Sequence, residues 1–212
     1  MMSTGVAAGL ALGLYGAGLI VTFGVRSWAH RRRTGSSGFR GLSGAFGSVE
    51  WWGGALFAAA LVLSALGPAL ALAGLVEAFA SPEWVRWVGL LTVVAALVGV
   101  LVAQAGMGAS WRVGVDAEER TGLVTTGPFA KVRNPVFTAM IAALLGLTLM
   151  VPGLATLAGL LALVVAVELQ VRFVEEPYLV RVHGPAYLSY ARTAGRFVPG
   201  LGRLLSVAPD RR

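Results

Sequence analysis

The chain alternates long apolar stretches with short polar segments, and three of these stretches have the length of a membrane-spanning helix. Residues 5–25, 51–76 and 84–107 are each predominantly apolar over more than 20 positions. A helix needs about 20 such residues to cross the hydrocarbon core of a bilayer. The pattern therefore predicts three N-terminal transmembrane helices.

A fourth apolar stretch, residues 136–167, is too long for one helix and short for two. Val151-Pro152-Gly153 interrupts its middle, and proline beside glycine favours a turn. We predict a tight hairpin of two short helices, whose length is compensated by local bilayer thinning or by burial among neighbouring helices. The expected fold is an all-α integral membrane protein with about five transmembrane helices and a C-terminal helical segment.

The basic residues orient this arrangement. With the N-terminus outside, 16 of the 17 Lys and Arg residues lie on the cytoplasmic side, and only Arg86 lies outside. Cytoplasmic loops of membrane proteins carry such an excess of positive charge. If the hairpin were a single span, the arginines of the tail would move outside and the asymmetry would be lost. We therefore expect five spans and a cytoplasmic C-terminus.

The chain is expected to form one membrane domain over residues 1–212. Residues 1–107 contain the three N-terminal spans, and residues 200–212 form a basic tail. Between them, the loop 108–134 and the segment that follows Glu168 are unusually polar for this chain. Residues 108–199 are therefore where chemistry is expected.

Composition narrows the chemistry further. Hydrophobic residues make up 57% of the chain and charged residues 13%, so most of the apolar surface is expected to face lipid. The chain has no Cys, which excludes disulfides and a cysteine nucleophile. The net charge is +7, and the basic residues flank apolar spans. Basic residues in that position normally set the membrane topology and contact anionic lipid, so nucleic-acid binding is not expected. The two histidines are far apart, and we expect no metal site.

One group of candidate residues stands at the start of the hairpin. Asn134 followed by Pro135 suits an N-cap and the first position of a helix. The positive end of that helix, together with Arg133, favours an anionic ligand group. A capped helix beside a topology-setting arginine explains the same residues, so both interpretations stay open at this point.

A second group is formed by Glu168, Arg172, Glu175 and Glu176, whose spacing allows all four side chains to share one helix face. Salt bridges from Arg172 to Glu168 and Glu176 give a structural interpretation. Ionisable groups near membrane depth are costly, however, and this cost favours a functional role.

These groups, taken in order, resemble the isoprenylcysteine carboxyl methyltransferase and phospholipid methyltransferase superfamily. The resemblance covers about residues 104–199 and rests on Gly127-Pro128-Phe129, Arg133-Asn134-Pro135-Val136-Phe137, Arg172, Glu175-Glu176, and Gly184 with Tyr187 and Tyr190. It implies that residues 108–199, with the hairpin, form a cofactor-binding core. It also implies that S-adenosylmethionine binds at the cytoplasmic face without a Rossmann domain, in a pocket open to a methyl acceptor in the bilayer.

The resemblance also implies roles for individual residues. Glu175 or Glu176 would bind the cofactor's ammonium, Arg133 its carboxylate, and Phe129 or Tyr187 its sulfonium. Arg172 and Glu168 are the expected catalytic residues: Arg172 would orient a carboxylate or thiolate acceptor, whereas an amine acceptor would need Glu168 or Glu175 as a base. The implied cofactor-binding residues are Gly127, Pro128, Phe129, Arg133, Asn134, Pro135, Phe137, Glu175, Glu176, Tyr187 and Tyr190.

Three positions depart from the superfamily pattern. Asn134 stands where many relatives have His, and Phe129 and Phe137 replace tyrosines. The identity of the methyl acceptor therefore stays open among lipophilic molecules and small thiols or carboxylates.

Two other functions also remain. One is an NADPH-dependent membrane sterol or enone reductase, whose C-terminal motifs are similar, and the other is a non-enzymatic membrane accessory protein.

Overall fold

The computed structural model describes residues 2–25, 27–28, 31–32, 44–107 and 122–204. Its α-helices, named here in chain order, are α1 (Thr4–Leu19), α2 (Val49–Leu72), α3 (Glu83–Met107), α4 (Pro135–Met150), α5 (Leu154–Leu169), α6 (Glu176–His183) and α7 (Pro185–Thr193). A π-helical turn, Ile20–Val25, extends α1, and a second one, Gln170–Glu175, joins α5 to α6. A short 3-10 helix, Gly127–Ala130, precedes α4.

Among the residues that the structure describes, four continuous helical stretches are long and apolar enough to cross a membrane. They are Thr4–Val25, Val49–Leu72, Glu83–Met107 and Leu154–His183. Helix α4 has 16 residues, a length of about 24 Å. The multi-pass helical membrane fold is confirmed, while the count of five crossings stays a prediction. Several arginines that entered the charge argument lie outside the described part of the chain: Arg26, Arg33, Arg40, Arg112, Arg120, Arg211 and Arg212.

The hairpin turn lies at the position predicted from the sequence. Helix α4 ends at Met150 and α5 begins at Leu154, and the carbonyl of Pro152 accepts a hydrogen bond from the backbone of Phe79 at 2.8 Å. The second arm is not short, however, because helical structure continues for 30 residues to His183. This helical stretch is about 45 Å long, whereas the hydrocarbon core of a bilayer is about 30 Å thick. Polar residues from Glu168 onward extend the helix beyond the apolar stretch from which the prediction was made.

Small residues hold the membrane helices together at two close crossings. A Cβ on Gly89 of α3 would lie 2.7 Å from the carbonyl oxygen of Gly146 of α4. A Cβ on Gly159 of α5 would lie 2.6 Å from Ser64 Oγ of α2. Lipid provides no hydrophobic force between helices, so such close backbone approach is a main source of their association.

A pair of tryptophans lies at the start of each of two consecutive spans. Trp51 and Trp52 pack edge to face at the start of α2, with ring centroids 4.9 Å apart. Trp84 and Trp87 lie exposed in the first turns of α3. Because α2 and α3 follow one another across the membrane, the two pairs correspond to aromatic belts at the two interfaces.

Candidate functional site

The C-terminal segment is joined by backbone pairing to the loop that leads into α4. Val132 and Gly195 form a parallel bridge. The Arg133 amide donates to the Gly195 carbonyl at 2.8 Å, and the Gly195 amide donates to the Lys131 carbonyl at 3.0 Å. Residues 194–204 are called the C-terminal strap below. The strap therefore lies directly against the motif that the sequence singled out.

Glycine is required at position 195. A Cβ there would lie 2.0 Å from the Val198 carbonyl oxygen and 2.9 Å from the Gly200 amide nitrogen. Both contacts are to backbone, which cannot rotate away as a side chain can. The strap can fold back over this position only because the side chain is a hydrogen atom.

Arg133 points into the protein. Its side chain is 2% exposed. Nη1 donates to the carbonyls of Ala191 at 3.0 Å and Ala194 at 2.8 Å, and Nη2 donates to the Gly202 carbonyl at 3.1 Å. Nη2 also donates to Glu176 Oε1 at 2.6 Å. The guanidinium therefore fastens the strap and α7 to the start of α4.

A second arginine, Arg196 of the strap, also binds Glu176. Arg196 Nε donates to Oε1 at 2.8 Å and Nη2 to Oε2 at 2.9 Å, which is the bidentate geometry that arginine and carboxylate favour. The hydrogen bond to Glu176 raises the pKa of Arg196 above its ordinary value, although burial opposes the rise. Arg133, Glu176 and Arg196, called the arginine–glutamate cluster below, contain two cations and one anion.

The four-residue helix face predicted for Glu168, Arg172, Glu175 and Glu176 is wrong in one respect. Arg172 Nε bonds to Glu168 as expected, and both side chains are substantially exposed. Glu176, however, binds Arg133 and Arg196. The π-helical turn Gln170–Glu175 adds a residue to the helical repeat, so positions after it are rotated relative to those before it. Glu176 consequently leaves the face of Arg172 and points inward.

The two tyrosines of α7 border the cluster. Tyr187 is buried, and burial raises its pKa to about 12, with the Glu176 charge adding to the rise and the Arg133 charge opposing it. The Tyr190 hydroxyl donates to the Phe129 carbonyl at 2.7 Å. Burial raises the pKa of Tyr190 to about 12 as well. Both phenols are therefore neutral at physiological pH.

Asn134 occupies the N-cap position of α4, but its side chain makes no capping hydrogen bond. Its Nδ2 instead donates to the Arg196 carbonyl at 3.1 Å. The predicted positions of Asn134 at the N-cap and Pro135 as the first residue of α4 are confirmed, although the Asn134 side chain does not itself cap the helix. One turn later, Thr138 Oγ1 donates to the Phe197 carbonyl at 2.8 Å.

The remaining predicted site residues are placed as follows. Gly127 has a φ of 61°, which suits glycine, and starts the 3-10 helix together with Pro128. Phe129 is buried next to this turn, whereas Phe137 packs against the membrane core. Glu175 ends the π-helical turn, directly before Glu176. Within the described ranges, no group of three or more His, Cys, Asp or Glu residues could hold a metal ion.

Sequence reasoning did not assign a site role to Arg196, Gly195 or Thr138. Arg196 and Pro199 form an Arg-x-x-Pro sequence that also occurs near the end of the superfamily pattern, and this short motif was the available signal. Its pairing with Glu176, 20 positions earlier, needed the three-dimensional structure.

Comparison with known proteins agrees with these motifs. Residues 84–186 match the sequence model of the phospholipid methyltransferase family (PEMT). The nickel-cobalt-cadmium resistance protein NccN of Alcaligenes xylosoxydans xylosoxydans is 29% identical over 116 residues, which are 54% of this chain and 53% of that protein. The eukaryotic intramembrane Ras methyltransferase ICMT, an isoprenylcysteine carboxyl methyltransferase, superposes with a TM-score of 0.52 at 21% identity, over 71% of this chain and 52% of that one.

The described helices form a multi-pass membrane fold, and residues 84–186 resemble the phospholipid methyltransferase family. The resemblance stated from its motifs is confirmed. The chain spans about half the length of both proteins to which it was compared.

Proposed function

We propose that this protein transfers a methyl group from S-adenosylmethionine to a lipophilic acceptor, or to a small thiol or carboxylate, at the cytoplasmic face of the membrane. The observation that carries the proposal is the overlap of two findings. The segment that matches the phospholipid methyltransferase family contains Arg133 and Glu176, which the fold joins at 2.6 Å.

The charges of the site fit the polar end of this cofactor. Two arginines share one carboxylate in the arginine–glutamate cluster, so the cluster has excess positive charge that favours the methionine carboxylate. Glu175, next in the chain, supplies a negative charge for the ammonium. The other residues proposed to line the pocket, from the resemblance stated above, are Gly127, Pro128, Phe129, Asn134, Tyr187 and Tyr190.

The methyl acceptor would bind next to a different part of the protein, the exposed pair of Arg172 and Glu168. Arg172 is half exposed and is held by Glu168 one helical turn away. An arginine fixed in this way can orient an acceptor carboxylate or thiolate through its remaining N–H groups. When bound, the cofactor would supply an electrophilic methyl group on a cationic sulfonium, so an anionic acceptor needs positioning rather than a strong base.

The membrane orientation can be tested directly because the chain has no Cys. Ala80→Cys probes the exposed segment between α2 and α3, and Ala130→Cys probes the exposed loop before α4. An external N-terminus requires an impermeant maleimide to label Ala80→Cys in intact cells and Ala130→Cys only after lysis. The reverse pattern would invert the proposed orientation.

Cofactor binding distinguishes the functions considered. Calorimetric titration of detergent-purified protein with S-adenosylmethionine, S-adenosylhomocysteine and NADPH should give heat with the first two ligands. Heat with NADPH alone would support a reductase, and no heat with any ligand would support an accessory protein. Incubation with methyl-labelled cofactor and a lipid extract, followed by mass spectrometry, would then identify the acceptor.

A further inference from the structure

The strap ends in a tight loop whose tip exposes aliphatic side chains. The Arg196 amide donates to the Leu201 carbonyl at 2.7 Å, and the Leu201 amide donates to the Val198 carbonyl at 3.1 Å. Gly200 and Gly202 have φ values of 80° and 70°. The loop is therefore held closed by its own backbone, yet Leu201 is 65% exposed and Val198 49% exposed. Val198, Pro199 and Leu201 are called the strap tip below.

Exposure of the strap tip has a free-energy cost in water. Removing an aliphatic side chain of this size from water is favourable. A floppy segment could turn such side chains inward, but the closed loop holds Val198 and Leu201 pointing outward. Fixed apolar side chains on a surface are typical of a site that contacts another apolar phase or partner.

The strap tip begins beside the membrane. Phe197, immediately before it, packs its ring against the core of the transmembrane helices. Its carbonyl accepts the hydrogen bond from Thr138 in the first turn of α4, the helix that starts the apolar hairpin. The chain therefore leaves the membrane core at Phe197 and enters the strap tip at the next residue, so the tip lies at the level of the bilayer surface.

Positive charge accompanies the strap tip. Arg203 is exposed, and its Nη2 lies 3.8 Å from where a Cβ of Gly200 would be. The Leu204 amide donates to the Ala191 carbonyl at 3.0 Å, which brings Arg203 near Arg192, another exposed arginine. Basic side chains close to an anionic leaflet are attracted to its negative surface potential.

We propose that the strap tip docks into the headgroup region of an anionic lipid leaflet, with Val198 and Leu201 in the apolar boundary and Arg192 and Arg203 among the phosphates. This docking does not depend on methyl transfer. It does bear on the candidate site, because the strap also carries Arg196 and the carbonyls that hold Arg133.

Depth measurement on single-cysteine variants tests the docking. Leu201→Cys and Val198→Cys are each labelled with a nitroxide in lipid nanodiscs, and collision rates with oxygen and with a water-soluble nickel complex are compared. Arg181→Cys, exposed on the last turn of the 45 Å helix, is the matched control beyond the hydrocarbon. We expect the ratio of oxygen to nickel collisions to be several-fold higher at positions 198 and 201 than at 181.

The lipid composition gives a second measurement. Raising the phosphatidylglycerol content of the nanodiscs from none to about a third should increase the ratio at position 201, and Arg192→Gln with Arg203→Gln should remove the increase. A ratio at 198 and 201 equal to that at 181 would overturn the proposal. Shielding of both labels from oxygen and nickel alike would also overturn it, because a protein partner or second copy would then cover the tip. Unchanged melting temperatures verify that the labelled variants are folded.

Discussion

Arg196 and Glu176 form a bidentate ion pair between the strap and the end of the longest membrane helix, with bonds of 2.8 and 2.9 Å. Arg133 reaches the same carboxylate from the start of α4 at 2.6 Å. Three separate segments therefore depend on one carboxylate for their relative positions. The first prediction concerns the removal of its charge.

Glu176→Gln should lower both stability and cofactor affinity. It leaves the buried Arg133 without its anionic partner, and breaking a buried ion pair costs about 3–5 kcal/mol. Affinity for S-adenosylmethionine should fall by roughly ten- to a hundredfold, because Arg133 and Arg196, which are proposed to bind the methionine carboxylate, lose the group that positions them. Glu168→Gln is the control, because it removes an exposed pair that contributes under about 1 kcal/mol. Melting curves and calorimetry on both variants measure this, and equal effects would contradict a special role for Glu176.

Arg172→Lys should impair turnover while leaving cofactor affinity unchanged. Lysine retains the positive charge but loses the planar fork that can hold a carboxylate through two hydrogen bonds. Because Arg172 and Glu168 are both exposed, stability should change by less than about 1 kcal/mol. Methyl transfer, cofactor affinity and melting temperature are measured together. Full activity in Arg172→Lys would remove Arg172 from the catalytic residues.

Tyr190→Phe should cost about 1 kcal/mol of stability near neutral pH, because it removes the hydrogen bond to the Phe129 carbonyl. Ser189→Ala, on the exposed side of the same helix, should have little effect. The pKa of Tyr190 is about 12 in the folded protein and about 10 in an unfolded chain.

The alkaline behaviour of Tyr190→Phe follows from that difference. A raised folded pKa gives stability that is fully present below pH 10 and is lost as pH rises towards 12. Denaturation measured at several pH values should therefore show a smaller alkaline loss in Tyr190→Phe than in wild type. An equal loss in the two proteins would indicate that the Tyr190 hydroxyl is not buried.

Gly195→Ala should disrupt the strap. The new methyl group would meet the Val198 carbonyl at 2.0 Å, and relieving that contact requires the backbone to move, at a cost of about 1–3 kcal/mol. Gly153→Ala in the hairpin turn is a suitable control, because no atom lies within 4 Å of its new Cβ. Limited proteolysis should cleave the strap of Gly195→Ala faster than that of Gly153→Ala. Equal cleavage rates would show that the strap tolerates a side chain at 195.

The membrane helices and the hairpin turn could be predicted because their signals are local. An apolar stretch defines a span by its length, and Pro152 with Gly153 marks a turn without reference to the rest of the chain. The resemblance to the methyltransferase superfamily likewise depended on short motifs read in order. These features need no knowledge of which segments meet in space.

The arrangement of the site could not be predicted in the same way. A uniform helical repeat put Glu176 on the face of Arg172, and no simple sequence rule marks the π-helical turn that separates them. The carbonyls that bind the Arg133 side chain are 58 to 69 positions away. Every residue has a backbone carbonyl, so the residue types at these positions do not reveal that they bind Arg133.

The contacts of Arg133 set an order of events during biosynthesis. Its carbonyl acceptors at Ala191, Ala194 and Gly202 emerge from the ribosome only after α4 and α5 have been made. Until then the guanidinium lacks these three acceptors, and water must solvate its Nη1 group while the hairpin enters the bilayer. The Arg133 site is thus completed last, so a nascent chain halted before Ala191 would have inserted helices but none of these three acceptors.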